Sequence, residues 1–172
     1  MKNPALYEIN TRVWLRRFDT PEKKATLKDV PTDYWDDLAD KGIDYVWLMG
    51  IWKTSKEAVK LYNFEEGLVN SYRKALKDWT EEDVIGSPYS ILNYEVNPDV
   101  GDLNQLLRLK TELNKRGVGL ILDFIPNHFS ALTPLIKTNP ELFLTADPDH
   151  LQNNPYTFFK HEETGRILAH GR

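Results

Sequence analysis

Val118-Gly119-Leu120-Ile121-Leu122-Asp123-Phe124-Ile125 is an almost unbroken apolar run whose one charge is Asp123. Such a run reads as a strand covered on both faces, which is the habit of parallel sheets. Parallel strands need crossovers, so the rest of the chain must supply them. It does. Leu6 to Leu15 is rich in β-branched and aromatic residues and predicts a strand. Arg16 to Lys28 is charged, contains Pro21 and reads as a loop. Pro31-Thr32 opens a helix with Asp33, Asp36 and Asp37 in its first turns, an apolar stripe of Trp35, Leu38 and Ala39, and a stop at Gly42. Ile43 to Met49 predicts the second strand.

Residues 53–85 look like an insertion. Ala58, Leu61, Tyr62, Leu68, Val69, Tyr72, Leu76 and Trp79 recur at helical spacing, which predicts one or two amphipathic helices interrupted at Gly67. Gly86-Ser87-Pro88 breaks them, and Pro98 to Gly101 makes another turn. Asp102 is the N-cap of a helix carrying Leu103, Leu106, Leu107 and Leu113 that ends at Arg116-Gly117. Strand, helix, strand, helices, strand is βαβ logic, with right-handed crossovers expected. From Pro126 the character changes to a loop-rich stretch with Pro134, Pro140, Pro148 and Pro155.

Composition narrows the function classes. At 172 residues the chain is one domain, or one domain plus a fragment. Its 22 Lys and Arg against 26 Asp and Glu give a net charge of −4, so neither nucleic acid nor an anionic membrane is the expected partner. Zero cysteines exclude disulfides, thiolate metal sites and a cysteine nucleophile. No apolar leader follows Met1-Lys2-Asn3-Pro4, so the expected location is cytoplasmic. No run approaches the ~20 apolar residues of a membrane helix.

The sharpest candidate site is Asp123-Phe124-Ile125-Pro126-Asn127-His128. Asp123 lies near the end of the buried strand, and Asn127 and His128 lie just past it, where α/β folds of both open and barrel type bind ligands. A carboxylate in an apolar run needs a partner, so Asp123 should be hydrogen-bonded or paired. The plainer reading makes Asp123 a loop anchor and His128 a surface histidine. A second stretch, Gly86-Ser87-Pro88-Tyr89-Ser90 through Asn97-Pro98-Asp99-Val100-Gly101, reads by itself as an aromatic-bearing turn.

Together these stretches resemble the α-amylase family of glycoside hydrolases (family 13). Tyr7-Glu8-Ile9-Asn10 resembles the family's first barrel strand and Gly42 to Trp52 its second. The resemblance implies an α/β fold, the N-terminal three strands of a TIM (β/α)₈ barrel over residues 1–126, followed at 127–172 by the start of a loop-rich domain B. It further implies that Asp123 organises the active site by holding an arginine, that Tyr89 stacks on a sugar, that His128 hydrogen-bonds that sugar, and that Asn127 ligates a structural calcium. Asn93 stands where many members carry Asp. The implied substrate is an α-glucan or oligosaccharide, cleaved by a retaining two-carboxylate mechanism. No segment resembles the strands that carry the nucleophile and the acid/base, which the resemblance places beyond Arg172. The chain alone is therefore expected to be inactive and, with an open strand edge, to self-associate. A non-catalytic carbohydrate-binding or scaffold protein on a part-barrel is the alternative, and an unrelated open α/β domain a weaker one.

Other features carry less. His161-Glu162-Glu163 lacks the second histidine of a zinc helix, and Gly117-Val118-Gly119 lacks the third glycine of a dinucleotide fingerprint. Asp147-Pro148-Asp149-His150 reads as an ordinary turn. Trp47, Phe158 and Phe159 read as packing, and Trp52, near a strand end, as packing or as a sugar platform.

Overall fold

A computed structural model of the chain describes residues 3–169. Met1-Lys2 and the last residues of the 127–172 segment, on which the leader and domain expectations partly rest, lie outside the described residues.

The first strand, β1, is Leu6–Asn10, and Thr11–Trp14 (α1) follows as a single helical turn, with a 3₁₀ turn at Leu15–Phe18. The expected strand to Leu15 therefore stops early. Trp14 and Leu15 are both buried. Consecutive strand residues face opposite sides, so only a turn lets both reach one core. The expected loop at Arg16 to Lys28 also carries a second 3₁₀ turn, Leu27–Asp29, boxed by Thr26 and Asp29.

Thr32–Asp40 (α2) and Tyr45–Met49 (β2) follow, and Gly42 exits the helix at φ 78°. Trp52–Thr54 (β3), Lys56–Tyr62 (α3), Glu66–Ala75 (α4) and Ile91–Val96 (β4) come next. Two expectations change here. The break between helices falls at Asn63 to Glu65, not at Gly67, because the Asn63 carbonyl leaves the ladder and accepts the Tyr72 hydroxyl at 3.0 Å. The stretch read as a turn contains the strand β4, which pairs with β3 and so gives its backbone groups partners.

Leu103–Lys115 (α5) is capped by Asp102, whose side chain accepts from Gln105 N–H. The buried run then yields a shorter strand than expected, Gly119–Leu122 (β5). Val118 is taken by the helix exit, its N–H donating to the Leu113 carbonyl at 3.0 Å. The run is also not covered on both faces: Ile121 is exposed, so the sheet face to which it points is left open there. Beyond it come Leu135–Thr138 (α6), Thr145–Ala146 (β6), Pro148–Asn153 (α7), Phe158–Lys160 (β7) and Ile167–Ala169 (β8). The turn expected at Asp147 to His150 is the capped start of α7, with Asp147 accepting from His150 N–H at 3.1 Å.

The described strands do not close a barrel. β1, β2 and β5 form a parallel sheet in that order, with Tyr7 beside Val46 and Val46 beside Leu120. Gly119 lies beside Tyr45, and a Cβ there would meet the tyrosine ring at 2.6 Å, so the close approach of these strands requires glycine. The third sheet is antiparallel, ordered β6, β8, β7.

Two compact units result. The first comprises residues 3–53 and 94–124, the second 54–93 and those from 125 on. In the first, Val46 and Leu48 of β2, Val100, Leu113 and Val118 are buried together with Trp35 and Leu38 of α2. Each such side chain contributes roughly 1.5–3 kcal/mol by leaving water. The second unit buries Ile91, Ile136 and Leu168, and with them the polar Ser130, Thr133 and His161.

Candidate functional site

Asp123 belongs to the first unit and leaves β5 at its C-terminal end. The residue is 8% exposed, and its carboxylate accepts two hydrogen bonds, from Trp47 Nε1 at 2.8 Å and from the Gly50 N–H at 2.5 Å. Gly50 reaches this position at φ 77°, a backbone conformation that side-chain-bearing residues rarely adopt. The Asp123 carbonyl accepts from Trp52 Nε1 at 2.9 Å. Two indoles and a turn glycine thus lock the strand end, and charge-assisted bonds of this kind are worth roughly 1.5–3 kcal/mol each. The partner demanded by a carboxylate in an apolar run is present. It is an indole and an amide, and no arginine is among the carboxylate's hydrogen-bond donors in the described chain. Trp47 and Gly50 were not legible as site residues. Trp47 read as packing, and nothing in its sequence neighbourhood points to a residue 76 positions away.

Around this end of the sheet the aromatic rings are layered. Trp52 meets Tyr94 edge-on at 5.3 Å, and Tyr94 stacks on Phe124 at 6.2 Å and 25°. Phe124 is largely exposed.

Tyr89, Asn127 and His128 belong to the second unit. Asn127 is exposed and His128 half-buried, and the Asn127 Oδ1 lies 3.1 Å from His128 Nδ1. Both line a cavity of about 210 Å³, together with Ser130 and the apolar Phe129, Ile136 and Leu168. The loop behind them is pinned to β4. Ser130 N–H donates to the Ile91 carbonyl at 2.8 Å, and Thr133 Oγ1 donates to the Leu92 carbonyl at 2.6 Å. Ser130 was not legible in the sequence, because a serine in a Pro-rich stretch carries no periodic signal. Tyr89 is half-buried in the turn after Gly86, where its N–H donates to Ser87 Oγ at 3.2 Å. It is not part of the cavity lining. The structure thus joins Asn127 to His128 and leaves Tyr89 outside the cavity lining.

Calcium takes six to eight oxygen ligands. Asn127 would be one, and no group of three or more His, Cys, Asp or Glu side chains able to hold a metal occurs among the described residues. The remaining described histidines are occupied locally: His161 Nδ1 lies 2.9 Å from Thr164 Oγ1, and His150 Nδ1 lies 2.7 Å from Asp147 Oδ1. That contact holds the Asp147 carboxyl below the usual carboxylate range. No described helix is long and apolar enough to cross a membrane.

Comparison with known proteins places the chain. The family model of the α-amylase catalytic domain matches residues 22–164. An α-amylase from Lactobacillus plantarum superposes with a TM-score of 0.58 at 22% identity, over 96% of this chain and 31% of that one. A trehalose-6-phosphate hydrolase from Bacillus licheniformis gives 0.64 at 16% identity, over 97% and 28%. An isomaltulose synthase from Klebsiella sp. gives 0.63 at 19%, again over 97% and 28%. At these identities the likeness speaks to fold, and the chain spans less than a third of each of these structures. No curated protein matches it by sequence.

Proposed function

This chain belongs to the α-amylase catalytic-domain family, and on that premise we propose that it is part of a retaining glycosidase or transglycosidase acting on α-glucosidic bonds. The observation that carries the reading is the strand-end segment. A buried carboxylate, Asp123, closes the third parallel strand, and Asn127-His128 follows, all inside the matched region. On this reading residues from 127 on begin domain B of a barrel whose first three strands are β1, β2 and β5.

The division of labour follows from the chemistry of each group. Asp123, held by Trp47 and Gly50, presents a positioned carboxyl group at the end of the sheet, where it organises neighbouring side chains rather than reacting itself. His128 offers a ring nitrogen to a sugar hydroxyl from the cavity wall, and Tyr89 offers a ring face to sugar C–H bonds. Retaining hydrolysis needs a carboxylate nucleophile and a carboxylic acid about 5–5.5 Å apart. We assign no residue of this chain to either role, so the chain by itself is proposed to bind α-glucan and not to cleave it.

Titrating the chain with a maltooligosaccharide while following Trp47 and Trp52 fluorescence tests this. Saturable binding is expected, weakened about ten-fold by His128→Ala, which corresponds to about 1.4 kcal/mol. A flat titration would remove the sugar-binding reading. Release of reducing sugar by the purified chain would overturn the proposed inactivity.

A further inference from the structure

We propose that Asn127 is a positioning residue for the His128 imidazole, with its side-chain oxygen committed to that ring rather than to a calcium ion. Asn127 Oδ1 lies 3.1 Å from His128 Nδ1. A carboxamide oxygen only accepts, so this contact is a hydrogen bond when Nδ1 carries the proton. The neutral ring then bears its lone pair at Nε2, the ring nitrogen left to accept, and His128 is one of the residues that line the cavity.

This has a consequence for ligand class. A ring nitrogen that accepts is matched by a hydroxyl that donates, which suits a neutral polyhydroxy ligand. It offers no proton to a phosphate or carboxylate oxygen. A calcium ion on Oδ1 would draw electron density from the acceptor and weaken its hold on the ring. No group of three or more His, Cys, Asp or Glu able to hold a metal occurs among the described residues to reinforce such a contact. The tautomer stands independently of the sugar-binding reading, and only its consequence for the ligand rests on it.

The test reads the tautomer directly, in the ligand-free chain. Long-range ¹⁵N–¹H spectra of uniformly labelled protein are recorded at about pH 9, where an ordinary imidazole (about 6.5) is neutral. His128 is assigned by the signal that disappears in His128→Gln. The expected pattern is a protonated, pyrrole-type Nδ1 and a bare, pyridine-type Nε2. Asn127→Ala should lose the Nδ1–H form as the majority species, and Asn127→Asp, which keeps an acceptor oxygen, should retain it. Asn127 is exposed, so neither variant threatens folding. Adding calcium chloride, or removing divalent ions with EDTA, should leave the His128 signals in place. A wild-type ring protonated at Nε2 would overturn the proposal, since it means that the amide faces Nδ1 with its NH₂ group. So would an unchanged tautomer in Asn127→Ala, or a His128 signal that moves when calcium is added. Failure of maltooligosaccharide titration with the tautomer intact would instead count against the sugar-binding reading alone.

Discussion

The two units of this chain reach order by different physics. In the first, a parallel sheet is covered by helices, and one apolar cluster from Ile9 to Val118 does most of the stabilising. In the second, α4 has no buried residue, the strands of the β6–β8–β7 sheet are two or three residues long, and the buried set includes Ser130, Thr133 and His161. In the second unit backbone carbonyls also accept from side chains, Leu92 from Thr133 and Asn63 from Tyr72. Dispersion and hydrophobic burial are spread over many atoms, whereas a few specific hydrogen bonds each carry a full desolvation cost if left unmade. The first unit therefore suits a scaffold and the second a surface that presents side chains.

The largest expected effect comes from truncating the core of the first unit. Leu48 is fully buried, so Leu48→Ala should cost about 2–5 kcal/mol, read as a lower urea midpoint. Amide exchange should quicken across β1, β2 and β5 and stay unchanged from 135 to 169. Equal acceleration in both units would erase the distinction drawn between them.

Next in size is the polar lock at the strand end. Asp123→Ala leaves the Gly50 N–H and the Trp47 indole N–H without their acceptor, at a cost of about 1–3 kcal/mol for the buried donors. Asp123→Asn keeps one acceptor oxygen and should recover part of the loss. Urea midpoints and near-ultraviolet circular dichroism of Trp47 measure both. If Asp123→Ala is neutral, the first unit depends on apolar packing alone, and the contrast with the second becomes sharper.

The smallest effect is electrostatic. The Asp29 carboxyl is held down at about 2, chiefly by the Lys23 ammonium and then by Thr26, against the opposing effect of burial. An ordinary aspartate sits near 3.9. Since the folded value is the lower one, the contribution is complete above about pH 4 and fades as pH falls toward about 2. The pair is partly exposed, so the total is at most about 1 kcal/mol. Asp29→Asn should flatten this part of the stability–pH curve of the first unit, and an unchanged curve would show that the Lys23 contact contributes nothing.

Legibility in the sequence divides along the same line. The helix Leu103–Lys115, with its Asp102 cap, and the parallel strands β2 and β5 follow from period and capping, which are local signals. Strand lengths do not: Leu6 to Leu15 has strand composition throughout, yet burying Trp14 and Leu15 on one side turned its second half into helix. β4 was hidden because its stabilisation comes from pairing with β3, far off in sequence. Among the site residues, the need for a partner at Asp123 was written in its apolar surroundings, while the partners Trp47 and Gly50 were not.

By itself, then, the sequence determined the βαβ order and the strand that ends in Asp123, while the family entered as a resemblance of its motifs and was shown by comparison. The order and the strand rest on neighbours within a few residues, where hydrophobic period and backbone chemistry act without reference to the rest of the chain. Only the tertiary structure decided what holds Asp123, that Asn127 faces His128 across 3.1 Å, and that Ile121 at the sheet edge stays exposed. Each of these depends on which distant groups arrive within hydrogen-bonding or packing distance, and no local rule carries that information.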